Sequence, residues 1–404
     1  MHRGFKSFLA GRALGLVADE MFIFALPVAL YAATGEIRWS GLSLVGLTLT
    51  RIVFMPLVAS LADRFRLRPQ YMSVDLSRIF VAALIFLLPR TPGIVIALAG
   101  MLTLLNGHAF VVLEKTVAAI STDADRGRLQ ARLQMLEQLA RVLGPACAGV
   151  VLQWSGLRGI AAASMVAFAI SCTLVTLCFR PEDRPSEKGH QRPHRDVLQA
   201  VKIIVGRPQL AWLIGVSMAS NLVEGIILAL APMIFLTQYH RGEGAIGAFF
   251  SVTAAVSIGV LLLLSSRKQV HLSHWIGVML LSGMAAIALV LPVAGAFLAY
   301  CALYLTFIVL RSVFVIHMRT ERARIINATD FGKVLGVMIA LLSLPLPLSG
   351  LLVSVGAPRI GGNGVLWSAT IASGAFAIAL HIWSRRAAQG TRHALAEDNH
   401  PAAE

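Results

Sequence analysis

The sequence predicts an all-α integral membrane protein, with twelve transmembrane helices in two six-helix pseudo-symmetric bundles, and three observations carry the prediction. Of 404 residues, 57% are hydrophobic and only 14% charged, with a mean hydropathy of +0.76. A soluble domain normally carries roughly a quarter charged residues. Apolar runs near the roughly 20 residues that cross a bilayer recur along the whole chain. The second half also repeats the first at an offset of about 205 residues.

Divided at charged or Gly/Pro-rich breaks, the runs fall at about 8–32, 40–62, 70–89, 93–116, 133–154, 157–179, 210–237, 244–266, 274–294, 296–318, 332–355 and 364–384. The start, "MHRGFKSFLAGRALG", is basic and lacks a small-residue cleavage site, so the first span is read as uncleaved. Pro292 and Gly295 in "LPVAGAFLAY" separate spans nine and ten, because residues 274–318 are too many for one crossing. The longest polar stretch, "RPEDRPSEKGHQRPHRDV" at 180–197, divides the spans six and six. Its prolines and mixed charge read as a cytoplasmic linker whose later part can form a short surface helix. The expected organisation is therefore a bundle at 1–180, a linker at 181–209, a second bundle at 210–386 and a disordered cytoplasmic tail at 387–404.

The net charge of +15 is placed by these spans. Alternate loops, together with both termini, hold 24 Lys and Arg residues, whereas the opposite loops hold five: Arg38, Arg90, Arg158, Arg241 and Arg359. Basic residues favour the cytoplasmic side, so both termini are expected there. The charge is thus a topology signal, and no nucleic-acid partner is inferred from it. Cys147, Cys172, Cys178 and Cys301 all lie in apolar runs and read as small hydrophobes. "GEGAIG", Gly242 to Gly247, fits a dinucleotide fingerprint only by letter, since no strand precedes it. His271 and His274 in "HLSH" sit in a basic loop and read as solvated, so no metal site is expected. No phosphate-binding loop is present, no cofactor is expected, and energy is assigned to an ion gradient.

The repeat lays "DEMFIFALPVALY" from Asp19 over "EGIILALAPMIFL" from Glu224, matching acid to acid and Pro27 to Pro232. Near the same offset "ADRFRLRPQ" meets "SSRKQVHLS", "TGEIRWSGLSL" meets "RGEGAIGAFFS", and "DRGRLQARLQ" meets "DFGKVLGVMI". Two parallel six-helix repeats are the pattern of a secondary transporter with a pseudo-two-fold axis along the membrane normal.

With twelve spans, that repeat and the loop "LADRFRLRP" between spans two and three, the chain resembles the major facilitator superfamily. The loop is similar to the family signature around Asp63 and Arg64, with Ser60 and Leu67 standing where glycines are usual. "TGEIRWSGLSL", "RIVFMPLVASLADRF" and "VDLSR" look like the bacterial exporter branch that includes enterobactin-type siderophore exporters and macrolide-type efflux pumps. "ARVLGPACAG", with Gly144, Pro145 and Gly149, is similar to the antiporter motif of proton-coupled exporters. The resemblance implies a bacterial inner-membrane, multi-pass, monomeric transporter working by alternating access. It also implies a conformational latch of Asp63, Arg64 and Arg68 against the start of span eleven near Gly332, where a helix dipole favours a carboxylate. A plain positive-inside loop is the other reading of those residues. Gly144 and Pro145 serve either as a kink for close packing or as a barrier to proton leak.

Charges inside the spans are costly unless paired or set in a cavity. The acids are Asp19, Glu20, Glu114, Glu137 and Glu224; the bases are Arg12, Arg51, Lys115, Arg141 and Arg311, with His108. In the resembled fold all of these lie on cavity-lining spans. Arg51, Arg141 and Arg311, with His108 and Glu137, could line a cationic cavity for an anion, because guanidinium binds carboxylates bidentately. The rival readings are structural ion pairs, including Glu137 with Arg141 one turn away, and a packed polar role for His108. Asp75 and Arg78 read as a structural pair. Asp19 and Glu20 point about 100° apart, and only Asp19 has a counterpart in the repeat, since Gly225 aligns with Glu20.

These features combine into one expectation: proton-coupled export of a small organic anion such as a carboxylate siderophore. Asp19, Glu224 and Glu20 are the proton-coupling candidates, with Asp19 preferred. A macrolide-type drug:proton antiporter is the alternative. Import, lipid flipping or membrane enzymology have less behind them, and the chain is not expected to be an enzyme.

Overall fold

A computed structural model of the chain describes residues 3–62, 67–88, 91–120, 123–178, 193–265, 274–326 and 331–397. All regular structure among them is helical: α1 (Arg3–Thr34), α2 (Ile37–Ala62), α3 (Leu67–Leu87), α4 (Pro92–Ile120), α5 (Asp123–Cys178), α6 (Pro193–Val205), α7 (Pro208–Met233), α8 (Glu243–Ser265), α9 (His274–Val290), α10 (Phe297–Ile325), α11 (Phe331–Ser343) and α12 (Pro345–Glu397). A π-helical turn, Ile234–Gln238, continues α7, and a 3-10 turn, Leu291–Val293, follows α9. Large apolar side chains such as Phe80, Trp154, Leu298 and Ile378 stand exposed on these helices. A lipid-facing surface requires that, because the bilayer accepts only helices with apolar exteriors and internally satisfied backbones.

Ten helical segments among the described residues are long and apolar enough to cross a membrane. Two of them, Met135–Val175 and Val337–Arg386, have 41 and 50 residues. At 1.5 Å per residue that is about twice the bilayer core in each case. Each is broken by a glycine with positive φ: Gly156 at 59° and Gly361 at 75°. An L side chain would strain that conformation, so glycine ends one crossing and starts the next within two residues. Gly156 falls at the expected boundary between spans five and six, and Gly361 between eleven and twelve. The expected turn between spans nine and ten is also present, where the 3-10 turn runs through Pro292 and Ala294 is extended.

The span expected at 332–355 carries an interruption, since α11 stops at Ser343 and α12 begins at Pro345. Pro345 and Pro347 lack the N–H groups that would continue the ladder, so the span is divided there. The short helix expected late in the linker is α6. Its Ala200 and Ile204 are buried against Leu210, Ile214, Ile326, Val334 and Met338, which anchors one face of the linker to α7 and α11.

The chain forms two compact units. Unit one comprises Met1–Lys188, Leu228–Leu262 and Pro347–Gly362. Within it α1 runs along α5, and Leu26, Leu30, Leu47, Val95 and Ala99 knit α1, α2 and α4. Tyr31 Oη lies 2.7 Å from Thr237 Oγ1, and Ser40 Oγ donates to the Ala229 carbonyl at 2.8 Å. Unit two comprises Gly189–Ile227, Leu263–Leu346 and Asn363–Glu404. There α9 packs on α10, and the Trp367 indole donates to the Leu289 carbonyl at 2.9 Å.

Candidate functional site

Among the described residues, both units hold charges that the sequence singled out, set in pairs or networks. In unit one, Arg12, Gly15 and Asp19 share a face of α1, since positions three and four apart align on a helix. Gly15 leaves room beside them for Arg78 of α3, whose Nη1 would stand 3.6 Å from a Cβ placed there. Arg78 is fully buried and reaches two carboxylates, Asp19 Oδ2 at 2.9 Å and Asp75 Oδ1 at 3.2 Å. Ser171 Oγ donates to Asp75 Oδ2 at 3.0 Å, and the Arg78 guanidinium lies 4.9 Å from the Phe168 ring centroid. Arg12 is buried in the same place. Two cations and two carboxylates thus neutralise one another in a setting where an unpaired charge would cost several kcal/mol. The Asp75–Arg78 pair is the one read from spacing; the bridge to Asp19 is not, because nothing in a 59-residue separation announces it.

Glu20 takes a different direction from Asp19. Its Oε1 lies 3.9 Å from Arg141 Nε of α5, with side-chain exposures of 30% and 55%. Gly144, one turn beyond Arg141, makes that approach possible: a Cβ there would overlap Glu20 Cβ and stand 3.2 Å from the Met21 nitrogen. Gly149 is also close to α8, since a Cβ on it would lie 2.9 Å from Gly247 Cα. Pro145 lies between these two contacts, and its carbonyl faces Gly247. Within unit one the antiporter-like triplet is therefore where backbones meet, and it sets Glu20 on α5. Glu137 is half-buried one turn before Arg141, and His108 is half-buried in α4.

In unit two, Glu224 of α7 forms an ion pair with Arg311 of α10, with side-chain exposures of 17% and 27%. Arg311 Nη2 also lies 3.5 Å from Asn221 Oδ1, at the limit of a hydrogen bond. Asn221 Nδ2 donates to the Leu342 carbonyl at 2.9 Å. That carbonyl belongs to the last turn of α11, just before the proline break. Tyr304 is buried against Tyr300 and Phe307 on the same helix as Arg311. Asn221 was not singled out by the sequence. Its position one turn before Glu224, on the same face, was the available signal.

The remaining expected residues are less fully placed. Arg51 lies in α2, Arg68 in α3 and Gly332 in α11, with no side-chain environment described for them. Asp63 and Arg64 fall outside the described residues. Among the described residues no group of three or more His, Cys, Asp or Glu side chains could hold a metal ion.

The Major Facilitator Superfamily pattern matches residues 8–338. No curated protein matches the chain. Among solved structures, the chain is similar to a bacterial homologue of the human lysosomal transporter Spinster in an inward-facing, unoccupied conformation, with a TM-score of 0.74, 11% identity and 96% of each chain covered. It is also similar to a bacterial homologue of the iron transporter ferroportin in an inward-facing state, with a TM-score of 0.67, 14% identity, and coverage of 94% of this chain and 98% of that one. A bacterial metal transporter aligns with a TM-score of 0.65 at 13% identity, over 94% of this chain and 98% of that one. Identities this low speak to the fold alone.

Proposed function

The chain belongs to the Major Facilitator Superfamily, and we propose that, as a secondary transporter, it exports a small organic anion, such as a carboxylate siderophore, by proton-coupled alternating access of the antiport kind. The observation that carries the reading is the pairing of arginine with glutamate inside apolar helices, Arg311 with Glu224 and Arg141 with Glu20, neither pair fully buried. A guanidinium already held by a carboxylate is prepared to exchange it for a substrate carboxylate of the same shape. Arg51 is assigned to the same task, and His108 and Glu137 to its polar surroundings. Export is the direction that the exporter-branch motifs favour.

Proton coupling is assigned to Glu224 and Glu20. Asp19 becomes the alternative carrier, because its buried bond to Arg78 ties it to α3 rather than to an exchangeable partner. The latch of Asp63, Arg64 and Arg68 near Gly332 is assigned a population role, shifting which side is open without binding substrate.

Proteoliposomes loaded with labelled citrate or succinate test the reading. Efflux is expected from the wild-type protein and should fall to the protein-free leak when Arg51, Arg141 and Arg311 are all alanine. Unchanged efflux in that triple variant overturns the anion reading, and efflux of lipophilic cations instead identifies a drug antiporter. An Asp19→Asn variant that loses proton coupling returns the carrier role to Asp19.

A further inference from the structure

Unit two carries a separate polar pocket at the end where α7 begins and α10 finishes. Its volume is about 350 Å³, inside the range of roughly 300–1,000 Å³ that small-molecule sites occupy. The helices reach it with residues spaced one turn apart: His317, Glu321 and Ile325 on α10, and His381, Ser384 and Arg385 on α12. Positions three and four apart share a helix face, so each stripe meets the pocket together. Trp212 of α7 completes the wall, its ring centroid 5.7 Å from that of His381. Trp212, His317 and Ser384 are buried and form the floor, His381 and Glu321 are half-buried, and Arg385 is exposed at the mouth. Gly277 of α9 leaves room for the imidazole, since a Cβ there would stand 2.9 Å from His317 Nε2. Arg207, just before α7, donates to the Ile325 carbonyl and ties the start of α7 to the end of α10. This pocket is not the Glu224–Arg311 site. His317 follows Arg311 by six residues, about 9 Å along α10 and about 120° around it, and Trp212 lies about 18 Å along α7 from Glu224.

The chemistry of the lining selects the ligand. A guanidinium, two imidazoles and an indole bring N–H donors, and Glu321 is the one acid among the described lining residues. A cation would meet a single carboxylate with Arg385 beside it, so the pocket suits an anion. Its donors come from three helices and face one another across the space. A tetrahedral phosphate offers oxygens to several sides at once, whereas a planar carboxylate offers two in one plane, and guanidinium takes phosphate bidentately. Ser384 adds no donor, because its hydroxyl donates to the His381 carbonyl at 2.9 Å, but its small side chain leaves space. Trp212 and Ile325 give the remaining volume an apolar wall, which a carbon body attached to the phosphate would cover. We infer that this pocket is a second binding site, apart from the transport site, and that it takes the phosphate group of an organic phosphate. A phospholipid headgroup and a soluble phosphate ester share that chemistry. The assignment does not depend on what the Glu224–Arg311 pair carries.

The experiment titrates the full chain in detergent with dioctanoyl phosphatidic acid, glycerol 3-phosphate or inorganic phosphate, with dioctanoyl phosphatidylcholine as the control, and follows binding by calorimetry. Saturable binding of at least one phosphate probe is expected. Arg385→Glu and His381→Ala should each weaken it by at least about tenfold, close to 1.4 kcal/mol. Glu321→Gln should tighten it, because the acid that opposes the anion is gone; a merely structural role for Glu321 would not move affinity in that direction. Arg386→Ala, which removes an exposed neighbour of Arg385 outside the lining, should leave it unchanged. Binding of phosphatidic acid alone identifies a lipid headgroup as the ligand, and equal binding of glycerol 3-phosphate identifies a soluble ester; both support the site. No saturable binding of any phosphate probe, equal binding of phosphatidylcholine, or phosphate binding that survives Arg385→Glu overturns it, as does weaker binding in Glu321→Gln. Size exclusion separates folded variants from misfolded ones. Should His381→Ala misfold, the exposed Arg385→Glu and the Glu321→Gln arms decide.

Discussion

Arg78 shows what one residue decides in this chain. It is fully buried and holds Asp19 and Asp75 at once, while the face of Phe168 covers its guanidinium. Removing one partner of a buried charge network leaves the others uncompensated, at a cost of about 3–5 kcal/mol. Arg78→Ala is therefore expected to lower the unfolding free energy by that order, measured as a fall in the denaturation midpoint in detergent. Arg78→Lys should recover little, because a single ammonium cannot reproduce a fork that spans two carboxylates. The triple change Arg78→Gln, Asp19→Asn, Asp75→Asn should recover most of the loss, since no charge is then stranded. A triple variant no more stable than Arg78→Ala would show that the network is held by shape and not by charge. At this scale the sequence was half legible. Asp75 and Arg78 sit three apart on one helix, so their pairing could be read. Asp19 and Arg78 meet only because α1 and α3 pack with those faces together, and periodicity does not report which face of one apolar helix meets which face of another.

Among the helices, one close approach that bears on the site is α1 against α5. Gly144 takes the place where any Cβ would meet Glu20, and Glu20 in turn reaches Arg141 one turn earlier. A larger residue must push the two backbones apart, and overpacking of this kind costs typically 1–3 kcal/mol. Gly144→Leu is expected to separate Glu20 from Arg141 and to reduce transport while the protein still inserts, whereas Ala146→Leu on the same helix should be tolerated. Disulfide trapping between cysteines at Glu20 and Arg141 checks the geometry: cross-linking should be lost in the Gly144→Leu background, and its persistence there would contradict the packing argument. The same two readings of Gly144 and Pro145 that the sequence left open, kink or leak barrier, both need small residues, so composition alone could not choose between them. Element boundaries were better written. Gly156 and Gly361 sit where their spans had to end, because only glycine takes positive φ cheaply. The break before Pro345 was missed, since a hydropathy run continues straight through "LLSLPLPLSG" and apolar content outweighed the prolines.

For the whole molecule, the charge that makes the chain so basic is also the charge from which its orientation is proposed. Lys and Arg are hard to carry across a membrane during insertion, so loops rich in them stay on the cytoplasmic side. The 24 residues of one set of loops and termini against five of the other set a strong bias, and no single loop carries it. Removing one or two of these residues should therefore leave the orientation intact. In a variant without the native cysteines, a single cysteine replacing Glu36, beside Arg38 at the α1–α2 turn, is expected to react with an impermeant maleimide added to intact cells. A cysteine replacing Lys268 should react only after the membrane is opened. The reverse labelling pattern would invert the molecule and place the Arg-rich loops outside. It would also invert the direction in which the Glu224–Arg311 pair meets the proton gradient, so topology and coupling stand on the same measurement.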